Sequence, residues 1–312
     1  MSLAVLLAAT VFVTNERAGS VTVIDSSTDK VVKTIAVGTR TRGMALSPDG
    51  KRLYVAVSHF RDRPAHGPDE IAVVDTKSFR ITDHFKSGTD PEGVAISPDG
   101  KRLFISNEDA GTASIIDTRT GRTVAALVVG TEPEGVATSH DGRWAYITGE
   151  TSNTISVIDA RANRVADNVF VDARPRGALF SHDDRRVYVT CEVGGSVNVI
   201  DSTTHRVIAR IKLRSIDHPV GLVLSPDGKR LYAATGRGNA VAVIDTATNR
   251  VVQTIGVGQR PWGIGITADG RKLYTANGLS NDVSVVDTSS GHVLTTIKAG
   301  DGPWGVILTG AK

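Results

Sequence analysis

Two sets of residues in this 312-residue chain have the types and spacing to do chemistry. Glu16, Glu108, Glu150 and Glu192 each follow a short T-N, S-N, T-G or T-C pair, which makes them equivalent to one another. Carboxylate oxygens suit hard divalent cations, so four glutamates around one opening would make a metal-assisted hydrolase or lyase conceivable. The second set stands immediately before a recurring glycine: Arg42, Glu92, Glu134, Arg176, Val220, Trp262 and Trp304. Two carboxylates there are followed by an arginine, an apolar and aromatic arc, and another arginine. Indole faces offer a stacking wall, and the charges would orient polar groups of a ligand. A structural alternative uses the same residues, with Glu92 and Glu134 pairing with Arg42 and Arg176 while the tryptophans fill space.

Other candidates carry less. His59 and His66 belong to a polar insertion, with Asp62, Asp69 and Glu70 nearby, but their spacing matches no standard zinc motif. A polar surface loop accounts for them better. Cys191 is the single cysteine, so no intrachain disulfide and no cysteine-based zinc site can form. Its neighbour Glu192 disfavours a thiolate. Arg40, Arg174 and Arg260 suit phosphate or single-stranded nucleic acid, with the tryptophans as stacking platforms. A net charge of +3, from 36 basic and 33 acidic residues, does not by itself argue for nucleic acid. No cofactor is called for, and no run of 18 apolar residues exists to span a membrane.

What positions these residues is a repeat. The aspartate ending V-I-D-type segments recurs at Asp25, Asp75, Asp117, Asp159, Asp201, Asp245 and Asp287, spaced by 50, 42, 42, 42, 44 and 42 residues. The recurring glycine falls at Gly43, Gly93, Gly135, Gly177, Gly221, Gly263 and Gly305, with the same period. An aspartate repeated in every unit is expected to be a turn device, because a catalyst is needed once. Each unit holds short apolar or alternating runs, bounded by turns such as Pro48-Asp49-Gly50, Pro98-Asp99-Gly100 and Pro226-Asp227-Gly228, and reads as four strands.

A four-stranded unit of about 40 residues cannot bury both faces alone, so neighbouring units must stack and the ring must close. The chain starts partway through a unit, at Val11–Asn15, and finishes on a lone inner strand, Trp304–Thr309. That strand completes the first sheet. The fold class is therefore all-β: a seven-bladed β-propeller of four-stranded antiparallel blades, closed by a C-terminal inner strand joining three N-terminal strands. Residues 11–312 form its single domain. Residues 1–10 are set apart as a signal-like segment, because Leu3–Ala9 has the apolar character of an export signal. The 50-residue spacing comes from an insertion, Ser58–Glu70, expected as an exposed loop on the channel-mouth face.

The segments LYVAV, LFISN, VYVTC and LYTAN, the VSVVDT-like strands and the SPDG turns resemble the YVTN-type β-propeller repeat, and they cover essentially the whole chain. The stretch Asn168–Ile211, followed by GQRPWGIGIT, LYTANGLSNDVSVVD and GPWGVIL, is similar to periplasmic propellers associated with pyrroloquinoline-quinone-dependent alcohol catabolism. That resemblance implies an exported protein without an established reaction. The leading expectation is a non-enzymatic periplasmic or secreted binding scaffold. It would take a small planar or carboxylate-bearing ligand, or a protein partner, at a channel mouth ringed by Arg42, Glu92, Glu134, Arg176, Trp262 and Trp304. The alternative is a lactonase-like hydrolase with a divalent cation on Glu16, Glu108, Glu150 and Glu192.

Overall fold

The computed structural model describes residues 9–60 and 69–310. They form seven four-stranded antiparallel sheets arranged as the blades of a closed ring. Blade 1 combines the inner strand Pro303–Leu308 with Thr10–Asn15, Ser20–Asp25 and the outer strand Lys30–Ala36. Closure is therefore made by pairing the two ends of the chain, with Val11 opposite Leu308 and Val13 opposite Val306. Blade 2 runs from Arg40–Leu46 to Arg80–Lys86, blade 3 from Pro91–Ile96 to Arg122–Val128, and blade 4 from Pro133–Thr138 to Arg164–Phe170. Blades 5, 6 and 7 begin with Pro175–Phe180, Leu222–Leu224 and Pro261–Ile266. Among the described residues, no helix is long and apolar enough to cross a membrane.

The two middle strands of each blade are buried on both faces, while the outer strand buries a single side at residues such as Ile35, Phe85 and Val169. This explains how a chain with few aromatics builds seven interfaces. Phe12, Tyr54, Phe104, Tyr146, Tyr188, Tyr232 and Tyr274 occupy one equivalent position, and all are buried. All five tyrosines of the chain are thus used as blade-to-blade filler.

Each repeated aspartate ends a third strand and accepts backbone hydrogens from the turn that follows. Asp117 takes N–H groups of Arg119 and Thr120 at 3.0 and 2.8 Å, and Asp201 takes those of Thr203 and Thr204 at 3.0 and 2.8 Å. These bonds favour the charged form, which holds Asp287 down at about pKa 2, first through the Ser289 hydroxyl. The turn role expected for this residue is the one it plays.

The repeated glycine answers to a different constraint. A Cβ on Gly43, Gly93, Gly135, Gly177, Gly221 or Gly263 would lie under 3.0 Å from the backbone carbonyl of Glu92, Glu134, Arg176, Val220, Trp262 or Trp304 in the next blade. Inner strands therefore touch backbone to backbone. In four blades a hydroxyl from the second strand bridges the seam. The N–H of Gly135, for example, donates to Thr148 Oγ1 at 2.8 Å, and Thr148 donates to the Arg176 carbonyl at 3.3 Å. Thr14, Ser106 and Thr190 make the same bridge to the carbonyls of Arg42, Glu134 and Val220. At blade 6 the seam is direct, Gly221 N–H to Trp262 O at 2.9 Å.

Gly135→Ala should therefore cost about 1–3 kcal/mol by forcing two backbones apart. Gly256, on an outer strand, has open space where a Cβ would go. Its replacement by alanine should stay within about 0.5 kcal/mol. Urea midpoints of the two variants give the comparison; equal midpoints would show that the inner strands do not need the close approach.

Candidate functional site

The loops entering the inner strands and the loops joining second and third strands lie on one face, as shown by Glu16 N–H to Gly302 O at 2.7 Å and Val37 N–H to Gly19 O at 3.0 Å. Because the glycine pins the backbone of the preceding residue against the next blade, all seven preceding side chains are gathered around the channel. Six of them, Glu92, Glu134, Arg176, Val220, Trp262 and Trp304, line a cavity of about 160 Å³ together with the glycines. A cleft of about 530 Å³ exists between blades 3 and 4, but its walls are the turn residues Ser97, Pro98, Asp141 and Gly142 of the opposite face.

Trp262 and Trp304 lie together as expected, with ring centroids 4.5 Å apart and planes inclined by 34°. The arginines do not stand apart from them. The Arg42 guanidinium sits 3.9 Å over Trp304, and Arg176 sits 5.6 and 5.8 Å from the two indoles. Both arginines are also committed to carboxylates. Arg42 bonds Glu92, contacts Glu134 at 3.3 Å, and donates through Nε to Glu16 at 3.0 Å. Arg176 bonds Glu150, contacts Glu134 at 3.0 Å, and lies 3.8 Å from Glu192. The structural alternative of paired charges is thus realised, and the tryptophans are stacked within the same assembly. Val220 is buried between the charged and aromatic arcs.

The equivalent glutamates are dispersed. Glu16 serves Arg40 and Arg42, Glu150 serves Arg174 and Arg176, and Glu192 serves Arg174, Arg176 and Arg260. The ligand set Glu16, Glu108, Glu150 and Glu192 is therefore not gathered into one cluster: Glu150 and Glu192 share Arg174 and Arg176, Glu16 lies with Arg40 and Arg42, and Glu108 lies with Asp90 and Glu92. Among the described residues a different trio could hold a cation: Asp90, Glu92 and Glu108, with oxygens within 4.8 Å of one another. Arg40 already supplies positive charge there, at 2.7 Å from Asp90 and 2.9 Å from Glu92.

Asp90 is the participant that sequence reasoning missed. The available signal was its position two residues before Glu92, equivalent to Arg40 before Arg42, Arg174 before Arg176 and Arg260 before Trp262. Alternate residues of an extended strand share a face. Asp90, Arg174 and Arg260 all adopt positive φ (51°, 60° and 57°), which turns the chain into the inner strand.

Of the remaining candidates, His59 Nε2 lies 3.8 Å from Asp69 Oδ1, and Glu70 bonds His84 at 2.7 Å. The insertion connects the second and third strands of blade 2, Arg52–Ser58 and Glu70–Asp75, and most of it, residues 61–68, lies outside the described residues. Asp62 and His66 lie outside the described residues. Burial, then the Asp172 charge, pushes the Cys191 thiol up to about 12, which leaves it unreactive.

Burial opposes charge throughout the mouth, and the arginines decide the outcome. Burial pushes Glu134 up, but Arg176, Arg42 and Arg40 together hold it below the ordinary carboxylate value. Glu150 ends above its ordinary value: burial raises it, Arg176 opposes, and the Glu134 charge adds to the rise. Asp90 is likewise raised by burial against Arg40.

Residues 63–175 match the family model described as the cytochrome D1 heme domain, and residues 168–307 match that of the seven-bladed β-propeller lactonases. The protein YncE of Salmonella typhimurium is 45% identical over 75 residues, spanning 22% of this chain and 21% of the relative's own length. Hydrazine synthase of Kuenenia stuttgartiensis superposes with a TM-score of 0.79 at 25% identity, over 90% of this chain and 92% of that one. A functionally unknown protein of Desulfotomaculum acetoxidans gives 0.84 at 14% identity, over 97% and 99%. A Bacteroides fragilis protein described as a candidate 6-phosphogluconolactonase gives 0.81 at 19%, over 99% and 100%. The last two likenesses show the fold alone. Together the matches support a β-propeller repeat family.

Arg176→Met should remove the cation that Glu134, Glu150 and Glu192 share, leaving each with weaker pairing, and cost about 3–5 kcal/mol at pH 7. The pH dependence identifies the cause. In the native protein the depressed Glu134 contributes stability above its unfolded pKa, lost as pH falls through its folded pKa. In the variant burial dominates, the folded pKa rises, and protonation relieves the strain. The deficit should therefore shrink as pH falls toward about 4–5, the ordinary glutamate range. Urea unfolding at pH 7 and pH 5 measures it; a deficit that grows on acidification contradicts the assignment.

Proposed function

We propose that this protein is a non-enzymatic binding propeller acting in the periplasm or after secretion, and that it takes a planar, carboxylate-bearing ligand at the mouth face. The observation that carries the reading is the commitment of the mouth charges. Glu16, Glu134, Glu150 and Glu192 are engaged by arginines, and Arg42 and Arg176 occupy the space over the indoles. Glu134, held below its ordinary value by Arg176, Arg42 and Arg40, is a poor general base. The cavity of about 160 Å³ is smaller than the roughly 300–1,000 Å³ of typical ligand pockets, which favours docking at the rim. Arginine-backed, half-buried indoles give that rim a rigid aromatic edge. The similarity to propellers of quinone-dependent alcohol catabolism supports an extracytoplasmic setting without making this chain a quinone binder.

One observation favours a second reading. The lactonase family model matches residues 168–307, which include Arg176, Glu192, Trp262 and Trp304. A lactone-hydrolysing enzyme would use the acidic side of the mouth, around Asp90, Glu92 and Glu108.

The readings separate by tryptophan fluorescence titrated with benzoate and larger aromatic carboxylates, alongside a lactone hydrolysis assay. The binding reading expects saturable quenching, lost in Trp262→Ala, with no turnover. Turnover of a lactone abolished by Glu92→Gln would replace it with the enzyme.

A further inference from the structure

The charges of the mouth are not evenly mixed. On the side of blades 1–3, Glu16, Asp90, Glu92 and Glu108 face two arginines, Arg40 and Arg42. On the side of blades 5–7 the balance reverses. Three guanidiniums, Arg174, Arg176 and Arg260, share Glu134, Glu150 and Glu192, Glu134 is also used by Arg42, and Arg237 adds a fourth positive charge whose field acts on Arg260.

The positive side has a shape as well as a sign. Arg174 and Arg260 approach the same Glu192 carboxylate from opposite oxygens, at 3.3 Å to Oε2 and 3.4 Å to Oε1. Arg260 reaches there from the loop entering blade 7, crossing blade 6, where Val220 replaces a charged residue. Its Nε passes Gly236 at ordinary contact distance, 3.9 Å from where a Cβ would sit. Its guanidinium rests 4.5 Å from the Trp262 ring centroid. Arg237 follows Gly236 in the short 3-10 turn Gly236–Gly238 and is exposed. Among the described residues no ion pair or hydrogen bond engages its side chain. Arg174 is 44% exposed, so it too presents donors outward.

Such an arrangement sets like charges close together. Burial, which disfavours the charged form despite Glu192, and the fields of Arg237, Arg176 and Arg174 push the Arg260 pKa down. An arriving anion would relieve that repulsion, and planar guanidinium forks match the paired oxygens of an oxyanion.

We infer that Arg174, Arg237 and Arg260 form an oxyanion-binding site on the rim of blades 5–7, taking a carboxylate or phosphoryl group with its aromatic or planar body against the edge of Trp262. The inference rests on the mouth-binding reading and deepens it. It assigns the anion to the three outer arginines and leaves Arg42 and Arg176 to build the wall. The acidic side of blades 1–3 would reject a second negative group, so the ligand carries its charge at one end.

Isothermal titration of the full chain with benzoate, phenyl phosphate and inorganic phosphate tests this. The expected result is saturable binding of at least one aromatic probe, weakened about tenfold in Arg237→Gln and in Arg260→Gln, with circular dichroism melting of Arg237→Gln unchanged. Added salt should weaken binding further. Preference for benzoate or for phenyl phosphate identifies the oxyanion, and either preference supports the site. Binding that keeps full strength in both arginine variants but is lost in Trp262→Ala overturns the inference and spares the mouth reading. No binding of any probe by the native chain overturns both.

Discussion

The backbone contact between inner strands governs this molecule. A chain whose inner strands carried a Cβ at Gly43, Gly93 or Gly135 could not bring the next blade's carbonyl so near. The ring would open, and the residue before each glycine would lose its fixed bearing. The hydroxyl bridges of Thr14, Ser106, Thr148 and Thr190 reinforce the same seam in four blades. The seam at Gly305 is looser, with its Cβ position 3.2 Å from the Arg42 carbonyl, and it lies where the two ends of the chain meet. A single close approach, repeated around the ring, therefore produces both architecture and site: it closes the sheet and points seven side chains at one opening.

Given that convergence, the identities of those side chains determine the chemistry. Gathering carboxylates in a buried mouth is unfavourable unless cations accompany them, and arginine is the cation that keeps its charge when buried. Arg42 and Arg176 satisfy glutamates while lying against indoles, so one side chain serves an electrostatic and a packing role together. The consequence is a mouth whose arginines are held by both carboxylates and indoles. It is also polarised, because the surplus of carboxylates falls on blades 1–3 and the surplus of guanidiniums on blades 5–7.

The architecture was legible in the residues because its determinants are local. Gly43 and its equivalents answer to sterics, and Asp117 and its equivalents answer to a turn two or three residues long. Each recurs at a fixed period. The adjacency of Trp262 and Trp304 followed from the same period. The pairing pattern did not, since it depends on how far long side chains reach between blades. Arg260 crosses blade 6 to Glu192, and Arg40 reaches both Glu16 and Asp90, contacts that no spacing along the chain specifies. For the same reason the four equivalent glutamates suggested one metal centre, although they are drawn to different surroundings.

The central claim is that arginines, rather than a metal ion, balance the mouth carboxylates. Calorimetric titration of the full-length protein with Ca²⁺ addresses it directly. Arg40 already lies among Asp90, Glu92 and Glu16. The native protein should therefore show no saturable uptake at micromolar Ca²⁺, and Arg40→Ala, which removes the guanidinium from between Asp90 and Glu92 and leaves Glu92 to Arg42 alone, should acquire it. Stoichiometric micromolar binding by the native protein, abolished in Glu92→Gln, would contradict the account.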